Sequence, residues 1–410
     1  MHVVIVDGDV SYPATSGKRL RTLNLMLRLA PRHRITYVGR CAPDGDEARL
    51  APEFRRGQGV EPVLVPEPVP RKRGLAFLAR LAANQFSSLP YSVASHQSAA
   101  MRAALRRMSL ERQVDLWQFE WSPYMSLLDA DLPGPRLLIA HNVDTLIWER
   151  YRDTAAGMAR RLFFAGQARK FARFEARAFR QADWVVAVSP EDAALIRQRF
   201  GQPKVDVVAN GMDRAFYENV QGRRDPYHLL FLGALDWMPN QDAVQLLLDS
   251  IFPAVRRQLP QATLHLVGRH PAATLAQRVA QIPGVELHAD VPDVRPFLGD
   301  CGIMVVPLRI GGGSRLKILE ALATGLPVVS TRVGAEGLDL VAGEHYLQAE
   351  PDAMPHVLVQ AMTHHAPALA QAQKGRDIVL QTYDWSVLAD TLEGVWEKCR
   401  RQHGAMSQAP

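Results

Sequence analysis

Cysteine is scarce in this chain: three residues in 410, Cys41, Cys301 and Cys399, far apart and in no repeating pattern. That excludes a disulfide framework and a cysteine-based metal or redox motif, and it suits a reducing compartment. Long hydrophobic runs are also missing. No stretch approaches the roughly 20 apolar residues that a membrane-crossing helix needs. The first residues, MHVVIVDGD, lack a basic segment ahead of a long apolar one, so they read as a strand rather than a signal peptide. Repeats of 20–50 residues are absent, and so is any nucleic-acid-binding motif, which sets aside solenoids and makes nucleic acid the least favoured partner.

What is present is enough apolar residue, 47% of 410, to bury two cores. Charge is divided unevenly. Residues 1–210 hold 31 Lys+Arg against 21 Asp+Glu, a net +10, while the rest hold 17 against 21, a net −4. The densest basic stretch runs from Arg150 to Arg180, with Arg71-Lys72-Arg73 as a second cluster. Such a half can meet anionic lipid or an anionic substrate, although any single arginine is most simply a solvated one. Glu149 and Glu175, on the same basic helical stretches, are expected to pair with neighbouring arginines.

Short apolar runs alternate with helical spacing along the whole chain. Strands are predicted at Val3 to Val6, Arg34 to Val38, Leu116 to Glu120, Arg136 to Ala140, Trp184 to Val188 and Val205 to Val208. A second series begins at Leu229 and continues at Thr263, Val285, Ile303 and Val328. Strands separated by helices imply an α/β chain with parallel, doubly wound sheets. The expected organisation is an N-terminal domain over 1–212, a polar linker over 213–226 and a C-terminal domain over 227–383. A helix over 384–402 should pack back toward the N-terminal domain, and 403–410 should be a frayed tail. Two Rossmann-like domains would face each other across a cleft, with ligand at the carboxyl ends of the strands.

One segment carries most of the chemistry. Ile303 to Leu308 is a buried-type strand, Gly311-Gly312-Gly313-Ser314 a glycine turn, Arg315 to Thr324 a helix, and Pro327 to Thr331 a further strand. The helix is charged the wrong way round. Arg315 and Lys317 occupy its first turn, where the positive end of the macrodipole disfavours cations by about 0.3–1 kcal/mol each. An anion held by free backbone N–H groups and both side chains resolves that conflict, and a diphosphate fits. Glu320 lies in the otherwise apolar run Ile318 to Ala323, where a carboxylate needs partners such as two ribose hydroxyls. Each feature alone has a bland explanation, namely a tight turn, solvated cations or a surface carboxylate. Their order within one unit favours a nucleotide site.

Glu320-Ala321 followed by Gly325-Leu326-Pro327-Val328-Val329 resembles the nucleotide-sugar signature of retaining glycosyltransferases of family 4, with the GT-B fold. The resemblance implies a metal-independent enzyme that moves a hexosyl or related group from a nucleotide-diphosphate sugar to an acceptor hydroxyl. It implies donor contacts at Gly17, Gly233, Gly268, Val291, Gly311, Gly312, Gly313, Ser314, Arg315, Lys317 and Glu320, with no metal ligand. Catalytic roles fall to His141, which follows the strand Leu137 to Ala140, and to Arg315 and Lys317. Asp7-Gly8-Asp9 mimics a DxD metal motif but ends a first strand and is discounted.

Two departures stand out. The family's first glutamate, eight positions before Glu320, is replaced by Gly312, so the ribose contact transfers and the sugar contact does not. Gly233 to Asn240 also lacks the family's Arg and Lys, which leaves the phosphates to Arg315 and Lys317. The family context implies glycan, polysaccharide or glycolipid synthesis in the cytoplasm, and the positive excess of the N-terminal half adds the expectation that it docks peripherally on an anionic membrane at the inner face or on a lipid-linked pyrophosphate acceptor. A nucleotide-sugar epimerase of related fold and an inactive nucleotide-sugar-binding scaffold remain the competing readings. Donor, acceptor, linkage and oligomeric state are not legible.

Overall fold

Parallel strands buried on both faces dominate the molecule. The computed structural model describes residues 1–8, 10–11, 16–42, 59–70, 74–128, 132–310 and 315–407, the last three of these by backbone only. The chain divides into two compact units, Met1–Ala209 with Ser386–Pro410, and Asn210–Gly311 with Arg315–Trp385.

Among the described residues the first unit holds seven strands: β1 His2–Val6, β2 Arg34–Cys41, β3 Val60–Pro66, β4 Leu116–Phe119, β5 Arg136–Ala140, β6 Trp184–Ala187 and β7 Val205–Val207. Their order is β3-β2-β1-β4-β5-β6-β7, and every pairing is parallel, with Val3 opposite Ile35 on one side and Leu116 on the other. All five residues of β1 are buried, as a strand covered on both faces requires. Period-two alternation sends Val4, Val6, Phe119, Leu138 and Ala140 into a core with Phe171, Phe174 and Phe179 of the long helix Met158–Gln181. Ile5 and Ile139 join Leu25, Met26 and Leu29 of the helix Gly17–Leu29, together with Leu392 and Trp396. These last two lie on the helix Trp385–Ser407, which the first unit holds through Trp396 Nε1 donating to Gln118 (2.6 Å) and Glu393 pairing with Arg32 (2.7 Å) and His33 (2.6 Å). Helix continues through residues 403–407, inside the segment expected to be a frayed tail.

The second unit repeats the plan with six strands among its described residues: β8 Asp225–Leu232, β9 Thr263–Gly268, β10 Val285–Ala289, β11 Cys301–Val306, β12 Val328–Ser330 and β13 Leu347–Gln348. Their order is β10-β9-β8-β11-β12-β13, again parallel throughout. Both units are therefore Rossmann-like, as the alternation of elements predicted. The segment read as a linker contains a helical turn, Arg214–Tyr217, and the start of β8. Strands β3 and β13 had no predicted counterpart: β3 carries Pro62 and Pro66, and β13 has only two residues. Among the described residues, no helix is long and apolar enough to cross a membrane.

In each sheet the chain order reverses beside one central strand, between β1 and β4 and between β8 and β11. Loops at the carboxyl ends of those strands are where such sheets bind ligands. They are Asp7-Gly8, Glu120, Gly233, and the segment after β11 that includes residues 311–314.

Candidate active site

In the second unit, the loop after β8 and the helix Leu316–Ala323 after β11 converge on Gly233. A Cβ at Gly233 would meet Asn240 Nδ2 at 2.6 Å and Lys317 Nζ at 2.9 Å, so a side chain there would displace both. A Cβ at Gly268, the last residue of β9, would run into the Gly233 carbonyl oxygen. The two glycines let β8, β9 and the Lys317 ammonium close together. Asp290, just past β10, donates its N–H to the Gly268 carbonyl (3.0 Å), which brings Val291 beside the same strand end.

Lys317 Nζ donates to Asn240 Oδ1 at 2.9 Å and lies 4.4 Å above the centre of the Phe231 ring. Burial, then Arg315 nearby, pushes its ammonium down to about 7, against a partial pull upward from Glu320. Arg315 forms the N-cap of the helix, is buried, and places Nη2 3.5 Å from Glu336 Oε2. The first turn of this helix contains no acidic residue. Two cations at a helix N-terminus, one of them depressed by desolvation and by the other, is the electrostatic state that an arriving diphosphate relieves.

Glu320, one turn further on, accepts a hydrogen bond from the Tyr217 hydroxyl at 2.9 Å through Oε1. Its other oxygen has no partner among the described residues. Burial raises the carboxyl above its ordinary range, while Tyr217 and Lys317 oppose that. A part-buried carboxylate with one oxygen held and one free is arranged to accept from a polar ligand group. Gly311, Gly312, Gly313 and Ser314 lie outside the described residues, as do Asp9 and Arg71 to Arg73.

The other predicted residues belong to the first unit. His141 follows β5 and is buried, with Nε2 3.0 Å from Glu120 Oε2. Glu120 follows β4 and also accepts from Thr22 Oγ1 (2.7 Å) and Gln118 Nε2. Thr22 is on the helix that begins at Gly17, capped by Ser16. Burial would raise the Glu120 carboxyl, but hydrogen bonds from His141, Thr22 and Gln118 outweigh it and hold it down at about 2. Burial, aided by Arg21 and Lys18, lowers His141 despite Glu120, so the imidazole is neutral. A neutral ring that donates from Nε2 to an ionised Glu120 presents Nδ1 as an acceptor. That atom is buried without a partner among the described residues. Arg21 Nη2 donates to the Val208 carbonyl at 2.8 Å, and burial lowers its guanidinium to about 10. Asp7 is engaged by Lys18 and by Gly8, Ser11 and Tyr37, so its carboxylate is committed within the unit.

One sequence expectation is corrected. Among the described residues Glu175 pairs with no arginine: it accepts from the backbone N–H groups of Asp144 (2.9 Å) and Thr145 (3.0 Å) and from the Thr145 hydroxyl (2.6 Å). It thereby caps the helix Asp144–Thr154, which follows the His141 loop. Glu149 does pair with an arginine, Arg199, at 2.6 Å. Sequence reasoning missed Glu120, Arg21, Asn240 and Tyr217. Glu120 carried the same signal as His141, a polar residue closing an apolar strand. Asn240 and Tyr217 carried none.

Comparison with known proteins gives the family of the chain. Residues 17–216 match the family model of Glycosyltransferase Family 4, and residues 226–366 match that of Glycosyl transferases group 1. A glycogen synthase of Mycobacterium tuberculosis is 22% identical over 281 residues, covering 65% of this chain and 66% of its own length. The match thus spans just under two thirds of that relative. Among solved structures, sucrose-phosphate synthase of Thermosynechococcus elongatus superposes with a TM-score of 0.73 at 16% identity, over 97% of this chain and 98% of its own. Anabaena HepE, in complex with UDP and glucose, gives 0.69 at 14% identity over 97% and 100%. WaaG, a glycosyltransferase involved in lipopolysaccharide biosynthesis, gives 0.63 at 16% identity over 96% and 99%. The chain belongs to the family 4, group 1 glycosyltransferases and has their GT-B architecture.

Proposed function

We propose that this glycosyltransferase binds a nucleotide-diphosphate sugar on its second unit and passes the sugar to an acceptor hydroxyl with retention, without a metal at the donor site. The observation that carries the reading is the pair Arg315 and Lys317 at the N-terminus of the helix after β11, with Glu320 one turn on. HepE, similar in fold, was solved with UDP and with UDP-glucose, which supports a uridine nucleotide as the first donor to try.

In the reaction the bond from the anomeric carbon to the diphosphate oxygen breaks, and its electron pair stays on the phosphate. The acceptor oxygen forms the new bond on the same face, and its proton passes to the departing phosphate. Arg315 and Lys317 stabilise the charge that builds on that oxygen, the role a divalent ion takes in metal-dependent transferases. The free Nδ1 of His141 is offered to a hydroxyl of the acceptor, and Glu320 holds the ribose. A nucleotide-release assay with donor and candidate acceptors tests this. Binding without release under any acceptor would favour the inactive scaffold.

Glu320→Gln is expected to raise the donor KM and to narrow the preference for ribose over deoxyribose donors, because an amide is a weaker acceptor than a carboxylate. Kinetics with paired ribo- and deoxyribonucleotide sugars check it. An unchanged ratio would make Glu320 a structural partner of Tyr217 alone.

The acceptor is proposed to be lipid-linked and reached by docking of the first unit on an anionic membrane at the cytoplasmic face. Leu75, Leu78, Ala79 and Ala82 are exposed along the helix Gly74–Asn84, and Phe86 just beyond is 96% exposed. This helix adjoins the arginine-rich helix Met158–Gln181, since Lys170 Nζ donates to the Asn84 carbonyl at 2.6 Å. Arg160, Arg161, Arg169 and Arg173 are exposed on that neighbour, with Leu162. Apolar insertion beside basic residues, each worth about 1 kcal/mol near such a surface, gives reversible binding. Co-sedimentation with vesicles should require acidic lipid and fade with salt. Indifference to lipid charge at low salt would contradict docking.

A further inference from the structure

The sheet of the second unit carries a set of imidazoles that the donor site does not use. His265 lies on β9, Glu286 and His288 on β10, and His228 on β8. Leu230 pairs with His265, and His265 with Glu286, so period two puts all four side chains on one face. His265 Nδ1 is 3.1 Å from His288 Nε2 and 3.4 Å from Glu286 Oε2, and the last two atoms are 3.3 Å apart.

Hydrogen bonding does not satisfy this triangle. If one imidazole donates along the 3.1 Å edge, the accepting nitrogen carries no proton and stands 3.3–3.4 Å from a carboxylate oxygen that is itself an acceptor. If both inward nitrogens are protonated, they oppose each other. A cation at the centre satisfies all three edges at once. Ligands about 2.0–2.1 Å from a tetrahedral ion are separated by about 3.4 Å, close to the spacing seen. The outer nitrogen of His265 is 3.3 Å from Thr263 Oγ1, a hydrogen-bonding partner that fixes the ring with Nδ1 inward. The Phe297 ring centre lies 4.6 Å from that of His288, tilted against it. Glu286 is 55% exposed, so an ion can enter and a water can take the fourth position.

We propose that His265, Glu286 and His288 form a divalent transition-metal site, with zinc as its occupant and water as the fourth ligand. Two nitrogens and one carboxylate suit zinc better than calcium or magnesium, which take oxygen. The site is structural. It ties the edge strand β10 to β9, and β10 leads directly into Asp290 and Val291 at the donor end of the sheet. His265 precedes Gly268 by three residues, roughly 10 Å along the strand, so the ion would stand apart from the diphosphate.

The test uses the full chain, stripped with a chelator and titrated with zinc by calorimetry, with cobalt as a spectroscopic substitute. One equivalent should bind, raise the melting temperature and, for cobalt, give the intense visible absorption of a four-coordinate ion. His288→Gln and Glu286→Gln, on the exposed edge strand, should each weaken binding by more than about tenfold, since even outer-sphere changes cost 10- to 100-fold. His265 is more enclosed, so a His265 variant alone would not separate lost ligation from lost folding. Absence of stoichiometric binding, or wild-type affinity in both edge-strand variants, would overturn the proposal.

Discussion

Lys317→Ala is expected to remove roughly 1.5–3 kcal/mol of transition-state stabilisation, about 10- to 150-fold in kcat/KM. Its ammonium faces Gly233 and is anchored by Asn240, with no carboxylate bonded to it among the described residues, so its charge is available to a ligand. Arg315→Ala should act in the same direction, although Arg315 also pairs with Glu336 and loses structure as well as charge. The pH dependence separates a phosphate contact from a packing role. In the free protein Lys317 titrates at about 7, below its ordinary 10.5. A bound diphosphate restores the charged form, so binding takes up a proton above pH 7. Donor affinity should therefore fall as pH rises from about 7 toward 10, at most tenfold per unit. By the same sign, the free protein gains stability from this group as pH rises through that window, because the unfolded lysine binds the proton more tightly. Calorimetry with a nucleotide sugar in buffers of different ionisation heats reads the uptake directly. Wild-type kinetics in Lys317→Ala, with no linked proton, would place the phosphates elsewhere.

Glu120→Ala is expected to destabilise the first unit by roughly 3–5 kcal/mol, the cost of stranding buried partners of a charged group. Thr22, Gln118 and His141 all lose their acceptor, and the buried Arg21 loses its nearby negative charge. Glu120→Gln keeps the shape, should fold, and should lower turnover by releasing the His141 tautomer. Acid titration gives an independent reading. The folded carboxyl, at about 2, lies below its ordinary 4.5, so its stabilisation is present above pH 4.5 and lost as pH falls toward 2. That contribution is on the order of 3 kcal/mol and should vanish from the acid-unfolding profile of Glu120→Gln. An unchanged profile would mean that the carboxylate is not ionised in the folded chain.

The sequence made visible whatever depends on local pattern. Fully buried parallel strands such as Val3 to Val6 and Ile303 to Val306 are continuous apolar runs, and their spacing dictated two doubly wound sheets. Arg315, Lys317 and Glu320 were legible because each violates a local rule: cations at the wrong helix end, a carboxylate in an apolar run. His141 and Glu120 both follow strands, but the partner that sets the imidazole's tautomer lies 21 residues away, and only the β4–β5 pairing joins them. Tyr217 and Asn240 touch the site through tertiary contact alone. Glu175 looked like a surface partner for arginine because composition cannot show that its helix turns that side chain inward. The His265, Glu286 and His288 triangle was equally hidden, since no spacing within one strand reports a register between two.

The central claim is that a nucleotide sugar binds where Lys317 and Glu320 stand. The most direct measurement is calorimetric titration of the full chain and of Lys317→Ala with a panel of uridine, guanosine and adenosine diphosphate sugars. The account predicts saturable binding of at least one donor at one site per chain, weakened by roughly tenfold or more in the variant. No binding by any donor, or equal affinity in both proteins, would contradict it.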